Sequence, residues 1–155
     1  MNLIIDRTLQ DVNHWKALHK KGWAGMNDTE RTEWLSAMKG CYGITDMNRV
    51  EAAVEVLSER LRELGYLHPT LTTKTNWSAS DVPTKVDFDR YFSNVEALRK
   101  AIALGPSTPE TPTTKVNLDF QRANDLEEIL LNIDKATTNL QKTWFYAGDI
   151  FAGEV

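Results

Sequence analysis

Apolar residues recurring at alternating spacings of three and four constrain this chain more than anything else in it. Met47, Val50, Val54, Leu57, Leu61 and Leu64 follow that rule, and so do Leu126, Leu130, Ile133, Thr137, Leu140, Trp144, Ala147 and Phe151. Side chains three and four positions apart share one face of an α-helix, so each series is a stripe that has to be covered by another helix. Two such stripes in 155 residues predict an all-α bundle.

The first stripe predicts a helix over 46–64. Thr45 or Asp46 is placed to cap its first amides. Gly65 suits the left-handed position after a helix end, and Pro69 disfavours helical geometry at His68. An earlier helix starts after Asp6-Arg7-Thr8, carries Leu9, Val12, Trp15 or Lys16, and Leu18 on one face, and ends at Lys20-Lys21-Gly22. A shorter one begins at Asn27 with Glu30 in the capping-box position, and has Trp34, Leu35 and Met38 as its apolar side. Pro83-Thr84 starts another, whose buried face is Phe88, Tyr91, Phe92, Val95, Leu98 and Ile102.

The expected architecture is a bundle of four to five helices over residues 1–104, with a short extended or hairpin insertion near 67–80, rich in threonine. Residues 105–117 form a Pro/Thr-rich linker. Pro106, Pro109 and Pro112 repeat every third position there, which favours a solvated polyproline II spacer. Residues 118–155 form a long C-terminal helix, packed on the domain or on another subunit. Its last part holds Leu140, Trp144, Phe145, Tyr146, Ile150 and Phe151, too apolar a group to leave wet, and therefore the candidate self-association or docking surface.

Several classes of function drop out. A net charge of -4 with scattered Lys and Arg gives no footprint for nucleic acid. The single cysteine, Cys41, excludes an internal disulfide and a multi-thiolate zinc site. No run of about 18 apolar residues exists to span a membrane, and the N-terminal apolar run is too short for a signal peptide. His14 and His19 are wrongly spaced for a shared metal on one helix face. No phosphate loop or nucleophile elbow occurs, so no catalytic, cofactor-binding or metal-ligating residue is assigned, and an enzyme is not expected.

The polar candidates lie elsewhere. Glu51, Glu55, Glu59 and Glu63 stack like charges at i,i+4, at a cost of a few tenths of a kcal/mol per pair. Either this is a solvated face, or Glu51 and Glu55 meet basic groups from another helix or subunit. Asn48 is placed to bond the backbone of a neighbouring segment, while Arg49 and Glu51 point to different neighbours. Trp77, in the extended insertion, either caps the bundle or stacks on a sugar or a partner protein. Asn48-Arg49-Val50-Glu51, Asn94-Val95-Glu96 and Asn124-Asp125-Leu126-Glu127 echo one another, either as chance matches of a helical chain, the larger share of the expectation, or as a weak internal repeat.

Asp46-Met47-Asn48-Arg49-Val50-Glu51 resembles the Asp-Leu-Asn-Arg-Ile-Glu helix start of uncharacterised tail, baseplate and fibre-region proteins of phages and prophages of Gram-positive bacteria. Trp34 to Gly40, Arg60 to Tyr66, Tyr91 to Arg99, Ala123 to Glu127 and Ala147 to Glu154 are similar too. Met47 and Val50 stand where the family usually has Leu and Ile, and Ala53 where an asparagine often follows. The resemblance implies a non-enzymatic virion structural or adaptor protein of the tail region, synthesised and assembled in the host cytoplasm. Its implied partners are other virion proteins or further copies of itself, or a glycan or receptor if Trp77 is a binding residue. It implies no cofactor.

Overall fold

The computed structural model describes residues 1–36, 38–114 and 118–151, with 144–151 described by backbone alone. All the regular structure among them is helical: α1 (Leu9–Gly25), α2 (Asp28–Leu35), α3 (Ile44–Glu63), α4 (Lys85–Ala101) and α5 (Phe120–Phe151). No helix of the described residues is long and apolar enough to cross a membrane.

Local sequence sets the helix ends. Capping boxes open α1 (Thr8 with Asp11), α2 (Asn27 with Glu30) and α4 (Thr84 with Asp87), each pairing two amides that the first turn leaves free. Asp119 Oδ1 accepts from the Arg122 amide to open α5. α3 departs from expectation, because its N-cap is Gly43 rather than Thr45 or Asp46. Asp46 instead reaches back from the first turn to accept the Gly43 amide at 2.8 Å. At the other end Gly65 adopts φ +82°, and the Tyr66 amide returns to the Leu61 carbonyl at 2.8 Å, closing a Schellman-type stop. α1 kinks at Gly22 (φ +69°), where its end was expected, and resumes to Gly25.

The core lies where α3, α4 and α5 meet. Val50, Val54, Leu57 and Leu61 of α3 interlock with Tyr91, Val95 and Leu98 of α4 and with Leu126, Ile129, Leu130 and Ile133 of α5. Each is almost wholly removed from water, worth about 1.5–3 kcal/mol per large aliphatic side chain. The first half of α5 therefore shares one core with residues 44–101. α1 and α2 contribute no residue to it. They pair with each other, stacking Trp15, His19 and Trp34 at 5.0–6.0 Å between ring centroids. Trp34 takes the contact with α1, so Leu35, about 100° further round the helix, faces outward at 76% exposure. Gly40 is required at this junction: a Cβ there would stand 2.1 Å from the Asp11 carbonyl oxygen.

Two connections behave differently from their sequence reading. The segment after Tyr66 is extended but forms no hairpin, since side chains of α3 and α4 satisfy its backbone in place of a second strand. The proline-rich segment is not a solvated spacer over its described part. Pro112 and Thr108 are buried, the Pro109 carbonyl accepts from Arg99 Nε at 2.8 Å, and the Thr111 hydroxyl donates to Glu96 at 2.6 Å. It lies along α4.

Candidate functional site

Asn48 sits one turn into α3 and faces the extended segment. Its Oδ1 accepts from the Trp77 amide at 2.7 Å and its Nδ2 donates to the Trp77 carbonyl at 2.9 Å, so one side-chain amide satisfies both backbone groups of one residue. Three positions on, Glu51 accepts from the Lys74 amide at 3.1 Å and from the Trp77 indole N–H at 3.4 Å. Arg90 of α4 forks onto both oxygens of Glu51 at 2.8 and 2.6 Å. Arg90 and Asn94 also donate to the Thr72 carbonyl at 2.7 and 2.8 Å. Residues 72–77 are thus held by backbone recognition between two helices.

The same device recurs on α5. Asn124 Oδ1 accepts from the Arg7 amide at 3.0 Å, and its Nδ2 donates to the Arg7 carbonyl at 2.9 Å. Glu127 accepts from the Ile4 amide at 2.6 Å and from the Arg7 guanidinium at 2.6 Å. In each clamp an Asn at i holds residue j, a Glu at i+3 holds the amide of j−3, and the side chain of j donates to that Glu. The residue after j is Thr8 in one and Ser78 in the other. Its amide and hydroxyl both donate to the aspartate three positions on, Asp11 or Asp81, at 2.7–2.9 Å. The burial of the two helices matches through the clamp, Met47 with Ala123, Val50 with Leu126, Val54 with Leu130, and Leu57 with Ile133. Of the two readings of the echo, the weaker one holds at these two places, where it is a structural repeat. The third match differs, as Asn94 takes one carbonyl only and Glu96 bonds Thr111.

The α5 clamp encloses four charges. Arg7 bridges Asp46 and Glu127 at 2.8 and 2.6 Å, and its side chain is 1% exposed. Arg49 donates to Glu127 at 2.7 and 2.9 Å and pairs with Asp46. Two guanidiniums and two carboxylates cancel. Burial alone would lower the pKa of Arg7 and of Arg49, but hydrogen bonds to Glu127 and Asp46 raise both above the usual arginine value. The Tyr42 ring lies 5.3 Å from the Arg7 guanidinium, and its hydroxyl meets that of Tyr91; burial pushes both phenols up. Arg7 Nε has no hydrogen-bond partner, alone among the described buried side-chain polar atoms.

The candidates named from sequence fall as follows. Asn48 does bond the backbone of a neighbouring segment, and Arg49 and Glu51 do point to different neighbours, all within the chain. Glu51 meets a basic group of another helix, Arg90, whereas Glu55 accepts from the Thr73 hydroxyl and has no basic partner among the described residues. Trp77 is 5% exposed with Lys74 Nζ 4.0 Å from its ring centroid, so it caps the bundle and has no free face for a sugar. Leu140 is half-buried against the end of the core. The side chains of Trp144, Phe145 and Phe151 lie outside the described residues. His14 faces Glu33 at 2.8 Å, and Cys41 is half-buried with its thiol pKa raised by burial.

Sequence reading missed Arg7, Arg90, Asn124 and Glu127 as site residues. One signal was present. Glu51 and Glu127 each stand four positions after one buried residue (Met47, Ala123) and three before another (Val54, Leu130), so each is an acid set inside an apolar stripe. Compared with family models, with curated proteins and with solved structures, the chain matches none.

Proposed function

We propose that this chain is a non-enzymatic structural or adaptor protein of a phage or prophage virion, from the tail or baseplate region, acting through protein–protein contacts and self-association. The observation that carries the reading is the length of α5. Its 32 residues extend about 48 Å, against about 30 Å for the 20 residues of α3. Among the residues whose side chains are described, Leu140 is the last of α5 packed against the core, and the helix continues to Phe151. The sequence of that last part includes Trp144, Phe145, Tyr146, Ile150 and Phe151, an apolar load suited to a partner helix or a second copy.

Two further points support it. The helix-start motif that resembles phage tail proteins directs its polar groups at the chain's own segments, which stiffens a building block. Trp77, on which a glycan- or receptor-binding reading rested, is buried. Mass spectrometry of particles purified from the host strain tests the proposal. The chain should be found in the tail fraction; its recovery from host extract alone would overturn the reading.

A further inference from the structure

The two clamps are built alike but hold unlike occupants. Residues 72–77 run between α3 and α4, both of which are core helices, so that segment is anchored on each side. Residues 1–8 lead into α1 and α2, which pair with each other and add nothing to the core. This appended unit meets the rest of the molecule through the arm, through one short connection, and along a cleft where Leu9, Val12 and Lys16 of α1 face Leu118, Phe120 and Ala123. Gly40 packs on Asp11 and Trp15 of α1, while Tyr42 bonds Tyr91 in the core, leaving Cys41 as the pivot between them.

The grip on the arm is mostly to backbone: both polar groups of Arg7 and the Ile4 amide, with one guanidinium added. Its geometry is the same whichever copy of the chain supplies residues 1–8. We infer that the α5 clamp is an exchange site, and that two copies of this chain link by trading their N-terminal arms. A reciprocal trade fills both clamps, restores both four-charge clusters and closes a two-fold dimer without any new surface. A short hinge joining an appended element to a core is the setting in which such exchange occurs. This joint is separate from the contact proposed at the end of α5.

The test uses full-length chain. In one copy Cys41 is changed to Ser and the exposed Asn2 to Cys, which carries a nitroxide spin label; the other copy is wild type and labelled with nitrogen-15. The two are unfolded together, refolded at high protein concentration and fractionated by size. Exchange predicts a dimer fraction in which amides around Asn124 of the nitrogen-15 copy are broadened by the partner's label, and whose mass persists on dilution. A dimer in which those amides stay sharp overturns arm exchange and leaves association through α5 standing. A single-copy mass at every concentration overturns both.

Discussion

Replacing Glu127 with Gln should destabilise the protein more than any other single removal of charge in it. The Glu127 side chain is fully buried and neutralises two guanidiniums at 2.6–2.9 Å. Without it Asp46 alone faces Arg7 and Arg49, leaving one uncompensated positive charge, and the new amide N–H₂ points donors at donors. Breaking a buried pair from one side costs about 3–5 kcal/mol. Unit charges about 4 Å apart at an effective dielectric constant near 20 give a similar figure, about 4 kcal/mol. For a domain of this size that shifts Tm by about 10 °C. Glu51→Gln should cost less, about 1–3 kcal/mol, because Arg90 is 22% exposed and regains water. Glu59→Gln, on the open face, should stay within about 0.5 kcal/mol. Thermal and urea unfolding followed by circular dichroism rank the three. Adding Arg7→Met to Glu127→Gln restores neutrality, so the double variant should lose less than the sum of the singles. Equal losses for Glu127→Gln and Glu59→Gln, or strict additivity in the double variant, would refute the four-charge account.

Gly40→Ala should lower stability by about 1–3 kcal/mol and loosen the α1–α2 pair, read as lost hydrogen-exchange protection there, because its methyl meets the Asp11 carbonyl. Trp77→Ala should cost about 3–5 kcal/mol with no compensating change in any glycan-binding assay. Asp81 accepts from Lys74 and from Ser78, which hold its pKa down to about 2. A carboxyl depressed in the folded state stabilises above its unfolded pKa of about 4, and that contribution fades as pH falls from about 4 to about 2. A side-chain carbon NMR titration with a midpoint near the ordinary 3.8 would show the loop is not held this way.

The helices were legible because periodicity and capping are local. Met47 to Leu61 and Phe88 to Leu98 can be phased from spacing alone, and Asn27 with Glu30 marks a helix start by two residues. What stayed hidden depends on partners far along the chain. The Glu51 stripe reads as self-repulsion until Arg90 arrives from α4, and Pro109 reads as solvated until Arg99 takes its carbonyl. Asp46 reads from sequence as the cap residue itself; in the fold it takes the Gly43 amide from inside the first turn with one oxygen and with the other completes a charge cluster with Arg7, from the other end of the sequence. The Asn-x-x-Glu repeat was visible, but only shared backbone partners distinguish a clamp from coincidence.

Static light scattering on the full chain and on a chain ended at Thr143 tests most directly whether this is a building block that associates through the end of α5. The account predicts a mass above one copy for the full chain, and a drop in that mass on truncation with the helical content of the remaining core retained. A single-copy mass for the full chain, or a mass in copies that truncation leaves unchanged, would contradict it.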